Sequence, residues 1–302
     1  MLSESYAIGI DIGGTNFRIG LVDTDGNLSG YEKHSVSTLA GEHAVLRLCS
    51  AVSDYISRHG VGRKIAAVCA GFPAILDKKR ETVLNAPNVD GFNGVAVRRI
   101  LEEHLLLPAF IEKDVNLLLI NDLKQLHIDS GDIVACYIGT GIGNAIMVDG
   151  HLLSGHNGVA GELGHIPFGD SEQLCGCGNC GCTEPLSGGR YLTHLSDTLF
   201  PHTPVSRLFA EYGDHPELCR YLERLGRVIA AEINILDPEV LLLGGGVIDM
   251  EAFPHECLVS AVLAHTRRPL PHDHLKIHFS NTSDGTGGVA GAGIFAWRKL
   301  KQ

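Results

Sequence analysis

The sequence predicts an α/β protein built in two halves. One arrangement occurs twice: a hydrophobic strand, a Gly/Thr-rich turn and a second strand, at Tyr6–Asp23 and again at Asp132–Gly150. Elsewhere, apolar runs of strand length alternate with segments of helical period, the pattern of an α/β chain. The 302 residues are 44% hydrophobic and 20% charged, enough apolar material for two domains with cores of their own.

Tyr6 to Gly13 reads as a buried strand ending in Gly13-Gly14-Thr15-Asn16, and a second strand starts at Phe17. Asp25-Gly26 is a hairpin signal, followed by a third strand over Leu28–Val36. Strand, Gly-Gly-Thr turn, strand is not the strand-to-helix fingerprint of a dinucleotide fold. Such a turn exposes backbone N–H groups and a hydroxyl, which can cradle phosphate oxygens. Asp11, just before it, could hold Mg²⁺ directly or through water. Taken by itself, the turn reads equally as an ordinary Gly-rich hairpin.

Glu42–His59 has helical spacing, with Val45, Leu48, Val52 and Ile56 on one face. Ile65–Phe72 is a continuous apolar run, hence an interior strand. Asn85-Ala86-Pro87-Asn88 is a loop that could reach a ligand or lie solvated. Val95–Leu106 predicts a helix stopped by Pro108, and Ala109–Ile111 a short strand. Glu112-Lys113-Asp114-Val115-Asn116 then leads into a helical run through Leu126. Asp114 therefore stands at a strand end near a helix N-terminus. It is either an N-cap or a residue at the place where open α/β sheets carry their chemistry.

The second half opens with the strand Asp132–Gly139, the turn Gly139-Thr140-Gly141-Ile142-Gly143, and a strand resuming at Asn144. Two such turns, one per half, suggest a duplicated architecture that holds phosphates from both sides. Pro216–Asp237 carries Leu218, Leu222, Leu225, Ile229 and Ile233 on one 3.6-period face, for the core or for a subunit contact. Val240–Leu243 is a buried strand, and Gly244-Gly245-Gly246 after it would let backbone approach a flat ligand such as a nucleobase or ribose, or simply make a flexible turn. Phe253–Thr266 predicts a helix, Leu275–Phe279 a strand and Gly285–Leu300 a Gly/Ala-rich final helix.

The stretch Gly158–Glu184, GVAGELGHIPFGDSEQLCGCGNCGCTE, is different in kind. His165 is followed by Cys175, Cys177, Cys180 and Cys182 in a Gly-rich run, and three thiolates with one imidazole are a standard zinc set. Glu162 and Glu184 bracket the cluster, so a metal that pins the loop also pins two carboxylates suited to binding hydroxyls. A plain zinc staple is the alternative. The other five of the nine cysteines are scattered without regular spacing, which does not resemble a secreted disulfide framework. The N-terminus lacks a signal-peptide pattern, and no run of about 18 apolar residues could span a membrane. A cytoplasmic protein is expected. The net charge of −11, with 24 basic and 35 acidic residues, argues against non-specific nucleic-acid or membrane-surface binding.

With these residues in view the chain resembles the ROK family of repressors and sugar kinases, within the actin-like ATPase superfamily. The likeness runs from Tyr6 to about Trp297. It rests on DIGGTNFR at Asp11–Arg18, GTGIG at Gly139–Gly143, GVAGELGH at Gly158–His165, CGCGNCGCTE at Cys175–Glu184 and LLLGGGV at Leu241–Val247. Within the family, GFPAILDKKRET, KDVNL, GELGHIPFGD, GGGVIDMEAFPHECLV and RRPLPH resemble the kinases of D-allose.

The resemblance implies an α/β, two-domain actin-like fold with a central cleft. Residues 1–112 plus 286–302 would form a small domain, and residues 113–285 a large one holding the zinc loop. It implies transfer of phosphate from MgATP to the 6-hydroxyl of a hexose, with Asp114 as general base. Asp11, Gly13, Gly14, Thr15 and Asn16, with Gly139, Thr140 and Gly141, would hold the phosphates and Mg²⁺. Gly244, Gly245 and Gly246 would border the adenosine. Asn88, Lys113, Asp114, Glu162, His165 and Glu184 would bind the sugar. His165, Cys175, Cys177 and Cys182 would hold zinc, Cys180 being a bystander, and the chain would form a homodimer. Many family kinases carry Asn where this chain has Lys113, which can donate but not accept, so recognition of one ring hydroxyl should differ from a glucose-type site. Glucokinase and N-acylmannosamine kinase activities are the rival readings. A sugar-sensing repressor is disfavoured because Asp11 leaves no room for a helix-turn-helix module ahead of it.

Overall fold

The computed structural model describes residues 5–168, 172–280 and 284–302. In chain order the first part contains β1 (Ser5–Ile12), β2 (Asn16–Val22), β3 (Leu28–Ser35), α1 (Ala44–His59), β4 (Lys64–Phe72), β5 (Ile75–Leu76), β6 (Val83–Asn85), α2 (Val97–Leu105), β7 (Ala109–Lys113) and α3 (Asp114–Gln125). There follow β8 (Ile133–Ile138), β9 (Ile142–Val148), β10 (His151–Leu152), α4 (Glu184–Ser187), α5 (Gly189–Thr198), α6 (Leu208–Tyr212), α7 (Pro216–Leu236), β11 (Val240–Gly244), α8 (His255–His265), β12 (Lys276–Phe279) and α9 (Gly287–Leu300).

The chain divides into two compact units, the first comprising Met1–Asp129, Ser154–Ala160 and Gly285–Gln302, the second Ser130–Leu153 and Gly161–Asp284. In the first unit the strand order is β3-β2-β1-β4-β7, and in the second it is β10-β9-β8-β11-β12. Both sheets use the same pairing: the first strand of the unit is antiparallel to the second and parallel to the next strand after a helical crossover. The duplication expected from the two strand–turn–strand stretches is thus present at the level of whole sheets.

Periodicity explains the cores. On α1, Val45, Leu48 and Val52 pack with Ile8, Ile10 and Phe72 of the sheet, and Tyr55 closes the layer by donating its hydroxyl to Gly30 O at 2.7 Å. On α7, Leu218, Leu222, Leu225, Ile229 and Ile233 are all buried in the second core, so this face is core. The Gly/Ala-rich α9 is buried from Gly287 to Ala296, because small side chains let it lie against β1, β4 and α3. Among the described residues no helix is long and apolar enough to cross a membrane.

The domain boundary requires a correction. Residues 113–129, 154–160 and 285 belong to the first unit, not the second. The reason is α9: α3 packs against it, and α9 in turn rests on β1 and β4. That partner lies far away in sequence, so the strand-to-helix junction at Lys113–Asp114 looks like a border although it is interior to a domain.

Candidate active site and metal centre

In the first unit the Gly13-Gly14-Thr15-Asn16 turn is closed by Gly13 N–H donating to Asn16 O at 2.8 Å. Gly14 and Thr15 are exposed, and Asn88 lies against the turn, its Cβ 3.3 Å from where a Cβ on Gly14 would stand. Asp11 and Arg18 face each other in the β1/β2 register, and Arg18 Nη1 donates to Asp11 Oδ2 at 2.8 Å. Sequence reasoning passed over Arg18, although counting outward from the four-residue turn pairs the two positions. The first turn of α9 also comes up to Asp11: a Cβ on Gly288 would sit 2.7 Å from Asp11 Cγ. Burial raises the Asp11 carboxyl above its ordinary range, and Arg18 pulls against that.

Asp114 is the first residue of α3, reached from β7 through Lys113 in extended conformation. Its Oδ1 accepts from Val115 N–H at 2.8 Å. Burial, and next the charge of Asp11, raise its carboxyl to about 6, against the pull of Val115 N–H and Lys113. Glu112, just before, is buried, and its Oε1 accepts from Lys113 N–H at 2.9 Å and from Asn116 Nδ2 at 3.0 Å. Lys113 is itself buried and donates from Nζ to Ala160 O at 3.3 Å. The first unit therefore gathers Asp11, the first Gly turn, Asn88, Lys113 and Asp114.

In the second unit the Gly139–Gly143 turn is fastened on two sides. Gly189 N–H donates to Gly139 O at 2.9 Å and Arg190 N–H to Thr140 O at 3.0 Å, so the start of α5 grips it. Glu184, at the start of α4, accepts Ile142 N–H on Oε2 at 2.9 Å. A Cβ on Gly141 would meet the Glu184 carboxylate, so a side chain there would displace Glu184 from its bond to Ile142 N–H. The Gly244-Gly245-Gly246 turn lies beside it: Val247 N–H donates to Ile138 O at 2.9 Å, one residue before Gly139. Both candidate nucleotide turns of this unit and Glu184 thus form one group. The Glu184–Ile142 bond has no local signature in the sequence.

The candidate metal centre belongs to the same unit. Leu163–His165 forms a short 3₁₀ turn entered from Glu162, and the cysteine loop turns back so that Cys182 pairs with Pro167. His165, Cys175, Cys177 and Cys182 bring their ligand atoms within 4.8 Å of one another. Cys175 Sγ stands 3.5 Å from His165 Nδ1, and Cys177 Sγ 3.6 Å from Cys182 Sγ. A tetrahedron drawn with zinc–sulfur and zinc–nitrogen bond lengths has edges of roughly 3.6–3.8 Å. The donor set fits such an ion in chemistry, and these two pairs approach its edge length. Cys180 is exposed and lies outside the set. The other ring nitrogen of His165, Nε2, faces Glu162 Oε2 at 3.8 Å. The last two residues of the GELGHIPFGD stretch fall outside the described residues.

The family profile for the ROK family matches residues 7–299. The chain belongs to the ROK family. It is 28% identical to a glucokinase of Thermotoga maritima over 80% of this chain and 81% of that protein. It is 25% identical to an N-acetylmannosamine kinase of Escherichia coli O9:H4 over 96% of this chain and 97% of that protein. The crystal structure of a ROK family glucokinase from Streptomyces griseus, in complex with glucose and AMPPNP, superposes with a TM-score of 0.75 at 27% identity, covering 96% of this chain and 98% of that one. The α/β, actin-like fold class of the ROK hexokinases agrees with that neighbour and with the two matching sheets.

Proposed function

We propose that this ROK-family chain is an ATP-dependent hexose 6-kinase whose preferred substrate is D-allose. The observation that carries the kinase reading is Asp114: a carboxyl at a strand end, raised to about 6, with Asp11 and the Gly13–Asn16 turn in the same unit. In this reading Asp114 accepts the proton of the 6-hydroxyl as its oxygen attacks the γ-phosphorus in line. A base with a pKa just below the working pH is mostly ionised yet more basic than an ordinary aspartate. Backbone N–H groups of the Gly13–Thr15 and Gly139–Gly141 turns offset the phosphate charge. Gly244–Gly246 border the adenosine. Arg18 occupies Asp11 Oδ2, which leaves Oδ1 to hold hydrated Mg²⁺ arriving with ATP. Such catalysis is mostly positioning and electrostatics.

His165, Cys175, Cys177 and Cys182 hold zinc in this proposal. A zinc ion held by these residues would fix the tautomer and ring direction of His165, whose Nδ1 faces Cys175 and whose Nε2, beside Glu162, would be left for a sugar hydroxyl. Glu162, Glu184, Asn88 and Lys113 complete the sugar set. The stretches shared with D-allose kinases, and Lys113 in place of asparagine, favour D-allose. Glucose or N-acetylmannosamine, named for the similar kinases, is the second reading. The family likeness also favours a homodimer, which molar-mass measurement by light scattering would check.

The test is a coupled ADP-release assay with MgATP against D-allose, D-glucose, D-mannose and N-acetylmannosamine. The highest kcat/KM should be with D-allose. Another preferred hexose would overturn the substrate and leave the kinase standing. Absence of turnover with every hexose, in zinc-replete protein, would overturn the kinase. Asp114→Asn should reduce turnover by roughly 10²-fold or more while hexose still binds.

A further inference from the structure

The turn between β5 and β6 holds an arginine in an unusual state. Asp77 Oδ1 accepts from Glu81 N–H at 2.7 Å and Thr82 N–H at 2.6 Å, and Oδ2 from Lys79 N–H at 3.2 Å. Burial raises the Asp77 carboxyl, but these amides overcome it and leave the carboxyl below its usual range. The turn so fixed puts Arg80 at φ 57°, the left-handed region that arginine seldom occupies. Its side chain runs inward rather than into solvent and is 13% exposed.

There the guanidinium meets a side-chain carboxylate and a backbone carbonyl from two separate segments. Nε lies 2.9 Å from Glu112 Oε1 in an ion pair that lacks hydrogen-bond alignment, and the same oxygen holds Lys113 N–H and Asn116 Nδ2 at the start of α3. Nη1 donates to Gly158 O at 2.9 Å. Gly158 is packed tightly on the same turn: a Cβ there would lie 3.0 Å from Arg80 Nη1 and 3.1 Å from Leu76 O. Residues 154–160 accordingly belong to the first unit, although Leu153 before them and Gly161 after them do not. Gly161 leads directly into Glu162 and His165.

We propose that Arg80 is a positioning residue for the phosphoryl-transfer reaction, a two-pronged tether that joins the strand end ahead of Asp114 to the 154–160 segment ahead of Glu162. The kinetic part of this inference rests on the hexose-kinase reading above; the tether itself does not. A planar guanidinium presents separate N–H groups in a fixed fork, so Nη1 can bond Gly158 O while the charge stays beside Glu112; an ammonium is a single point of charge on a flexible stem. Neutralising Glu112 is the structural share of its role, and holding Gly158 O is the positioning share.

The two shares separate by substitution. Arg80→Met leaves the buried Glu112 carboxylate without its cation and is expected to lose stability, so the decisive proteins are Arg80→Lys and the double variant Arg80→Met/Glu112→Gln. In the double variant the glutamine carbonyl still accepts from Lys113 N–H and Asn116, and no charge is left unpaired. Both should melt close to the parent protein and keep KM for ATP within about twofold. Hexose KM should rise roughly tenfold or more, the size of one lost charge-assisted hydrogen bond. Amide hydrogen exchange across residues 154–161, measured without substrate, should quicken by a similar factor. Parental hexose KM together with parental exchange in the double variant would overturn the proposal and leave Arg80 a charge partner of Glu112. Faster exchange in a protein that phosphorylates no hexose would keep the tether and discard the kinase reading instead.

Discussion

The base assignment makes a pH prediction with a definite sign and size. Burial and the neighbouring Asp11 charge raise Asp114 from 3.8 to about 6. The base must be ionised to accept the hydroxyl proton, so activity is lost as pH falls through that value. At pH 5 a carboxyl titrating at about 6 is about one-tenth ionised, whereas an ordinary aspartate is still about nine-tenths ionised. Hexose kcat/KM should therefore fall about tenfold between pH 8 and pH 5, with saturating MgATP and with folding monitored by circular dichroism. A second readout avoids the titration of ATP itself: the ¹³C carboxyl shift of labelled Asp114, assigned by comparison with Asp114→Asn, should move with a midpoint near 6. A midpoint near 4, or a flat rate profile down to pH 5 in folded protein, would refute both the environment inferred for Asp114 and its role as the base.

Three further outcomes are expected. Cys177→Ser, or chelation of the parent protein, should release metal and cost folding, because the loop carrying His165 and Cys182 is organised around one point; a metal-free variant that melts like the parent would contradict this. Glu184→Ala should raise hexose KM and also loosen the second Gly turn, so KM for ATP should rise with it; unchanged saturation curves for both substrates would remove Glu184 from the site. Glu232, buried on α7 with Asn144 Nδ2 at 3.0 Å, is pushed to about 7 by burial against the pull of Asn144 and Cys136. The native state then binds that proton more tightly than the unfolded chain, and stability is lost as pH rises from about 4.5 to about 7. Glu232→Gln should erase this loss, a gain of at most about 3 kcal/mol at pH 8 and little at pH 4.5, read from urea midpoints. A variant that is no more stable than the parent at pH 8 would sink the assignment.

What the sequence disclosed, and what it withheld, divides by the range of the interaction involved. Local devices were legible. The Gly-rich hairpins, the 3.6-period face of α7 and the His/Cys spacing each state their structure within some twenty residues, because strand, helix and metal loop are decided by near neighbours. Features that depend on distant partners were not legible. The placement of α3 in the first unit depends on α9, and nothing around Lys113–Asp114 announces it. Lys113 read as a sugar contact and is also a donor to Ala160 O, a bond that needs the chain to return to the first unit over residues 154–160. Arg80 sits in the run Asp77-Lys78-Lys79-Arg80, whose composition suggests a solvated turn; only the left-handed φ imposed by Asp77 turns its side chain inward. The residues that do chemistry in this reading lie at the ends of locally legible elements, and those that aim them are joined by contacts between segments far apart in sequence, such as Arg80 with Glu112 and Gly158. Changing the first group should alter rate, changing the second should alter substrate affinity, and the contrast between Asp114→Asn and Arg80→Lys measures that division directly.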